Sequence, residues 1–122
     1  ASYFEFSRPN DVELPEEEWR HGLHGGAIET AMMLHLRPDL VRREALQTFP
    51  SLGQELEGTL ACLRPEGQPS FAWLAGDLNP LGATGDATLA TADIGARLAS
   101  HYGQVLADVV QDARQFPINR LI

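Results

Sequence analysis

The sequence has no lysine and a single cysteine, Cys62, and it has no long apolar run. One cysteine excludes a disulfide within the chain and a metal cluster held by several thiolates. No stretch approaches the roughly 20 apolar residues that a membrane helix needs. Because paired cysteines are typical of oxidising compartments, their absence favours a reducing one, and we expect a cytoplasmic protein.

Positive charge is also scarce. The chain has nine basic residues, all arginine, against 17 acidic ones, which gives a formal net charge of -8. Nucleic-acid binding needs a basic footprint on the protein surface, and anionic lipid headgroups also attract basic residues. We therefore expect neither nucleic acid nor a membrane among the partners.

The hydrophobic pattern predicts an α/β domain with more helix than sheet. The 122 residues are enough for one domain with a modest core. Helical spacing of apolar residues predicts helices over 25–36 and 87–115, and a short helix over about 38–46. Apolar runs bounded by turn residues predict strands over 2–7 and 70–76. Two strands make a poor sheet, so we expect part of the sheet to be missing.

An acidic run, Glu16-Glu17-Glu18, follows Pro15. Proline suits the first turn of a helix, and acidic side chains there meet the positive end of the helix dipole. We therefore interpret the run as the solvated start of a short helix rather than as a metal site.

The stretch WRHGLHGGAIETAMML, residues 19–34, gathers the residues most capable of chemistry. His24 lies just before a predicted helix and can move protons near neutral pH or bind a metal. Glu29 is an oxygen ligand or a general base, and Thr30 can orient it by a hydrogen bond. Gly25 and Gly26 allow a ligand or another backbone to come close. These are the pieces of a hydrolytic metal site, with Glu29 on the ion and His24 moving the proton.

A structural interpretation of the same residues stays open. A single histidine near a turn is usually a surface residue or a hydrogen-bonded structural one, and this applies to His21 more than to His24. His35 and His101 fall within predicted helices, where we expect structural roles. One histidine and one glutamate cannot hold a catalytic divalent ion, because three protein ligands are usual for zinc. The remaining ligands must come from elsewhere.

Further residues could serve either structure or chemistry. We expect Trp73 in the core rather than in a pocket, and Cys62 as a small buried hydrophobe rather than a nucleophile. Asp77 follows a predicted strand, where ligand sites of α/β proteins gather, or else braces the glycine-containing loop after it. We expect Asp86 to cap the last helix.

Two segments resemble the creatininase family (creatinine amidohydrolase-like metal hydrolases). In GLHGGAIETAMMLHLRPDLV, residues 22–41, the family pattern is matched at His24, Gly26, Glu29 and Thr30. The sequence departs from that pattern mildly, with Gly25 in place of alanine and Ala31 in place of serine. The segment FAWLAGDLNPLGATGDATLATADIGARL, residues 71–98, is similar to the C-terminal segment of the same family.

The resemblance implies a three-layer α/β/α fold with a parallel-rich sheet. It implies one or two divalent metal ions (zinc, manganese or iron) and hydrolysis of a C–N bond of a small, often cyclic, amide by a metal-bound water. Proton transfer would fall on His24, and Glu29 would be a catalytic residue and metal ligand. Trp19, Gly25 and Gly26 would contact the substrate.

The resemblance covers only the carboxy-terminal half of the family pattern. The Glu-x-His-Gly stretch, a following Asp and a later Asn-Gly-His, which supply most of the metal ligands, have no counterpart in this sequence. We therefore expect residues 1–122 to be the C-terminal portion of a single domain. A missing N-terminal half, either a separate chain or a cleaved segment, would complete it.

The family resemblance also implies a homo-oligomer, often a hexamer. By itself the chain should bind metal poorly and catalyse nothing. Two alternatives stay open: a non-catalytic structural or interaction module of the same fold, and a formamide hydrolase of the same family.

Overall fold

The computed structural model describes residues 2–121, which form mostly helix with a very small sheet. The α-helices of this part of the chain are α1 (Glu16–His21), α2 (Ala27–Leu36), α3 (Leu52–Leu56), α4 (Ala75–Leu78) and α5 (Ala92–Gln115). Turns of 3₁₀-helix cover Tyr3–Glu5, Pro38–Leu40, Arg43–Ala45, Ala87–Leu89 and Ile118–Arg120. The strands β1 (Thr48–Phe49) and β2 (Gly85–Asp86) pair antiparallel.

The two predicted strands are wrong. In the first, the amide of Phe6 bonds back to the carbonyl of Tyr3, so this segment closes a 3₁₀ turn. In the second, the carboxylate of Asp77 accepts a hydrogen bond of 2.8 Å from the amide of Leu74, the residue just before α4. This contact stabilises the start of α4. The first segment bonds within its own turn, and the second makes one isolated bridge between Arg64 and Ser70 before α4 begins, so neither extends a strand ladder among residues 2–121.

The predicted helices fare better, with adjusted boundaries. The helix predicted over 25–36 is α2, and the short helix predicted over 38–46 is a pair of 3₁₀ turns. The long final helix is α5, which begins at residue 92 and not at residue 87. Thr91 caps it, since the Thr91 hydroxyl accepts from the amide of Ile94 at 3.2 Å. The expected cap, Asp86, instead accepts from the amide of Thr88 at 3.0 Å and caps the preceding 3₁₀ turn.

The core lies where α2 crosses the first half of α5. It contains Val12, Ile28, Ala31 and the fully buried Leu98. Burying a leucine side chain contributes about 1.5–3 kcal/mol. The two helices come close because Gly95 faces Ala31, and a Cβ at position 95 would overlap the Ala31 carbonyl. This contact fixes α2, the helix that carries Glu29.

The second half of α5 extends away from this core. Its apolar residues are exposed, with Leu106, Val109 and Val110 each 40–52% accessible. None of the helices within residues 2–121 combines the length and the hydropathy needed to cross a bilayer.

Candidate active site

The buried carboxylate of Glu18, which lies in α1, binds the first amide of α2, the helix that carries the site. Glu18 is 4% exposed, and its Oε1 accepts a hydrogen bond of 2.6 Å from the amide of Ala27, the first residue of α2. Its Oε2 accepts one of 2.6 Å from the amide of Asp86 in β2. The prediction of a solvated acidic run is therefore wrong for Glu18, although Glu16 and Glu17 are exposed.

Glycines on three sides make room for the Glu18 carboxylate. A Cβ added at Gly22, Gly26 or Gly85 would overlap its oxygens. Gly85 also has φ of 109°, a conformation that side chains rarely adopt. Gly26, predicted as a substrate contact, thus has a structural role here in addition to any contact with substrate.

The segment before α2 is fixed to the β2 strand by Thr84, which is fully buried. The amide of Thr84 donates to the carbonyl of His24 at 2.7 Å, and the Thr84 hydroxyl accepts from the amide of Leu23 at 3.1 Å. Gly25 follows with φ of 68° and turns the chain into α2. The sequence analysis did not single out Thr84, and its only signal was its place inside the second family-like segment.

The structure brings together the two residues predicted to carry the chemistry. His24 Nδ1 lies 3.5 Å from Glu29 Oε2, which also accepts a hydrogen bond of 2.6 Å from the amide of Gly25. The His24 side chain is 57% exposed and that of Glu29 is 30% exposed. Thr30, expected to orient Glu29, instead donates to the carbonyl of Gly25 at 3.2 Å. It therefore braces the turn and not the carboxylate.

The other oxygen of Glu29 has a partner that sequence reasoning missed. The Tyr3 hydroxyl donates to Glu29 Oε1 at 2.9 Å across 26 residues of sequence. Burial raises the pKa of Tyr3 far above its ordinary value near 10, and the hydrogen bond to Glu29 raises it further. The hydroxyl therefore stays protonated at physiological pH and donates a hydrogen bond to Glu29.

A cavity of about 320 Å³ adjoins this carboxylate. Gly25, Glu29 and Thr30 form one side of it, and the other walls are mainly apolar, from residues such as Met33, Leu40 and Phe49. Glu29 and Arg42 are the two charged residues of this mostly apolar lining, and its size suits a small ligand.

Trp19 does not line this cavity. The Arg8 guanidinium lies 5.0 Å from the centre of its ring, and Trp19 packs against the core. It borders two other cavities. Its assignment as a substrate contact remains a prediction.

His21 is buried beside one of those cavities, and neither of its ring nitrogens has a hydrogen-bond partner among residues 2–121. Its Nε2 lies 3.3 Å from Glu57 Oε1, which is an ion-pair distance without hydrogen-bond geometry. Burial acts to raise the pKa of Glu57, but the charges of His21 and Arg20 outweigh it and lower the pKa overall. Within the described chain His21 and Arg20 lie at ion-pair distance from Glu57, and their ion-pair contacts do not include His24 or Glu29.

The remaining candidates have structural positions. Cys62 is exposed, so the expectation of a buried hydrophobe is wrong. Trp73 is half-buried and donates to the carbonyl of Pro65 at 2.9 Å. His35 is exposed, and His101 contacts the carbonyl of Ser7 at 2.6 Å.

The donor set does not fit a catalytic metal ion. Within the described part of the chain, no three His, Cys, Asp or Glu side chains lie close enough together to hold one. The site offers one imidazole and one carboxylate, whereas catalytic zinc usually has three protein ligands. The described residues by themselves therefore do not supply the ligand set of a catalytic metal ion.

Comparison with known proteins agrees with the two family-like segments. A sequence profile described as "Creatininase: Creatinine amidohydrolase" matches residues 2–110. No curated protein matches significantly, and no solved structure does. The match supports the α/β class, while the three layers remain a prediction. Because the profile covers most of the sequence, the chain belongs to the creatininase family, a family of metal-dependent amidohydrolases.

Proposed function

We propose that this chain supplies a proton-transferring histidine, His24, and its orienting carboxylate, Glu29, to a site that hydrolyses a C–N bond of a small amide. Family membership supports the reaction class. The observation that carries the assignment is the contact of 3.5 Å between His24 Nδ1 and a Glu29 oxygen that the Gly25 amide already fixes.

The chemistry of His24 follows from its two ring nitrogens. When Nδ1 carries a proton and faces Glu29, Nε2 is free to accept a second proton. The Glu29 carboxylate then lies beside the Nδ1 side of the imidazolium. His24 can next give this proton to the nitrogen that leaves the cleaved amide, which makes nitrogen a better leaving group. The exposure of the His24 ring leaves it accessible to a substrate.

The metal ion of the family needs ligands from outside this donor set. We propose that an N-terminal half, present as another chain or as a cleaved segment, supplies most of them, with Glu29 as the ligand from this chain. The choice among zinc, manganese and iron would follow from that half. We further propose homo-oligomerisation, which the family resemblance implies, and a cytoplasmic location, which the single cysteine favours.

We propose a small-molecule substrate, and the cavity beside Glu29 supports this proposal. Its volume of about 320 Å³ and its apolar walls favour a compact amide, cyclic or formylated, over a peptide or a charged polymer. Gly25 forms part of its wall, which keeps Gly25 as a proposed substrate contact.

A second candidate function is a non-catalytic interaction module of the same fold. Two observations favour it. The described residues contain no three-ligand cluster, and the distal half of α5 exposes an apolar stripe that another protein could cover.

Hydrolysis assays on the chain purified together with its complementing half separate the two candidates. Creatinine and small N-formyl amides are the substrates, each with zinc, manganese or iron. We expect hydrolysis, and we expect His24→Gln and Glu29→Gln to reduce kcat by about 10²–10⁴-fold, the usual contribution of general acid–base catalysis. The matched controls are His35→Gln and Glu55→Gln, since both residues are exposed and lie outside the site.

Absence of hydrolysis by the complete assembly would favour the interaction module. Wild-type rates in His24→Gln would exclude the proposed proton transfer while leaving the family assignment intact.

A further inference from the structure

We infer that Tyr3 is a positioning residue for Glu29, whose carboxylate it holds in the orientation that faces His24. This inference rests on the proposed function. Its structural part, that the Tyr3 hydroxyl fixes the Glu29 carboxylate, can be tested without any enzymatic assay.

The two oxygens of Glu29 have different partners, and together these fix the plane of the carboxylate. Oε2 accepts from the Gly25 amide at 2.6 Å and lies 3.5 Å from His24 Nδ1. Oε1 accepts from the Tyr3 hydroxyl at 2.9 Å. A carboxylate held at one oxygen can still pivot about that hydrogen bond, whereas contacts at both oxygens fix the plane of the group. The Tyr3 contact thus keeps Oε2 directed at the histidine.

Aromatic packing holds Tyr3 in place for this contact. Its ring stacks on that of Phe4 with the ring centres 4.3 Å apart, and it packs against Tyr102 of α5 at 5.4 Å. Tyr3 also packs against the core formed by α2 and α5. The hydroxyl is therefore delivered to Glu29 from a rigid support, as positioning groups in active sites generally are.

Tyr3→Phe removes the hydroxyl and keeps the ring, so it separates positioning from packing. Chain folding should change little, because the stacked ring is retained. The hydrogen bond from the Gly25 amide to Oε2 should weaken, since the carboxylate gains freedom to rotate. His24 would then lose the fixed orientation of its partner.

The matched control is Tyr102→Phe. Tyr102 belongs to the same aromatic cluster and is also half-buried, yet among the described residues its hydroxyl makes no hydrogen bond to Glu29. This variant removes the same atom from the same cluster without touching the carboxylate.

The structural readout is the NMR signal of the Gly25 amide proton, whose position depends on the strength of its bond to the carboxylate. We expect Tyr3→Phe to move it upfield and Tyr102→Phe to leave it nearly in place. In the complete assembly, we expect Tyr3→Phe to lower kcat by about tenfold with little change in KM, because orientation and not binding is lost.

A double-mutant cycle with Glu29→Gln guards against a variant that is simply less stable. If the hydroxyl acts through Glu29, the changes in melting temperature caused by Tyr3→Phe and Glu29→Gln will not add. An unchanged Gly25 signal together with additive changes would overturn the inference. If His24→Gln and Glu29→Gln hydrolyse amides normally, the proposed function fails, and the Gly25 signal still decides whether Tyr3 fixes Glu29.

Discussion

Two glutamates, Glu18 and Glu29, accept hydrogen bonds from backbone amides at the start of α2, but the two carboxylates have different surroundings. Glu18 accepts from the amides of Ala27 and Asp86 and is almost fully buried among glycines. Glu29 also accepts from a backbone amide, that of Gly25, but 30% of its side chain is exposed and it faces a histidine. Both oxygens of the buried Glu18 accept from backbone amides, which is a structural role. A carboxylate that is half-open beside an imidazole can also take part in a reaction.

The comparison has a simple energetic basis. A buried carboxylate must have all its hydrogen bonds made, because leaving one charged partner unpaired in the interior costs several kcal/mol. A partly exposed carboxylate is hydrated on its open side and can change partners at lower cost. We therefore expect Glu18 substitutions to affect stability and Glu29 substitutions to affect activity.

The largest expected effect is that of Glu18→Ala. It removes the acceptor of two buried amides and leaves a cavity among the glycines, which should cost about 3–5 kcal/mol in the free energy of unfolding. Urea denaturation measures it. Glu17→Ala, one residue away and exposed, should change stability by less than about 0.5 kcal/mol. Equal effects of the two substitutions would remove the distinction drawn for Glu18.

Gly85→Ala is expected to cost less, about 2–4 kcal/mol, because a Cβ at this position meets the Glu18 carboxylate and the backbone has φ of 109°. Gly103→Ala is the control. Gly103 lies inside α5 with no atom near its missing Cβ, so alanine should stabilise the helix by about 0.5–1 kcal/mol. Thermal unfolding of both variants gives the comparison. A neutral Gly85→Ala would show that the glycine is not needed to house Glu18.

The contacts of the two glutamates could be predicted from the sequence only in part. The pairing of His24 with Glu29 is local, since Glu29 lies five positions after His24 across a helix start, and it could be predicted. The burial of Glu18 depends on Gly85, which is far away in sequence, and so the acidic run was predicted to be solvated. The contact of Tyr3 with Glu29 could not be predicted either, since it is also distant in sequence. The apolar neighbours of Tyr3 indicated a strand instead.

In the fold, too, local features could be predicted from the sequence, and those that depend on distant residues could not. The helices α2 and α5 follow from apolar spacing, which is a property of each segment alone. A strand forms only beside a partner strand, and neither segment predicted as a strand belongs to the sheet of β1 and β2. The exposure of Cys62 could not be predicted either, since it depends on what packs over the loop that carries it.

Glu29→Gln tests whether Glu29 contributes less than Glu18 to the stability of the fold. The Glu29 carboxylate is partly exposed, and the amide oxygen of glutamine can still accept from the Gly25 amide. We expect a loss of less than about 1 kcal/mol in the free energy of unfolding, within the usual value of one hydrogen bond. Urea denaturation beside Glu18→Gln checks this. A loss as large as that of Glu18→Gln would mean that Glu29 is chiefly structural.

The smallest effect concerns alkaline pH. Burial raises the pKa of Tyr3 and that of Tyr102 in the folded chain. A raised pKa stabilises the folded state below the ordinary value near 10, and this contribution is lost as the pH rises beyond it. We expect unfolding free energy measured from pH 9 to pH 11 to fall less steeply in Tyr3→Phe. With no lysine in the sequence to titrate in the same range, an unchanged slope would contradict the burial of this hydroxyl.

Native mass spectrometry with a metal count tests the central claim most directly, namely that this chain holds one part of a hydrolytic site. We expect the isolated 122-residue chain to carry no stoichiometric metal. In complex with a second polypeptide that supplies the missing His, Asp and Glu ligands, it should carry one or two divalent ions per pair. A stoichiometric ion bound to the isolated chain, or a complete pair that binds none, would contradict this claim.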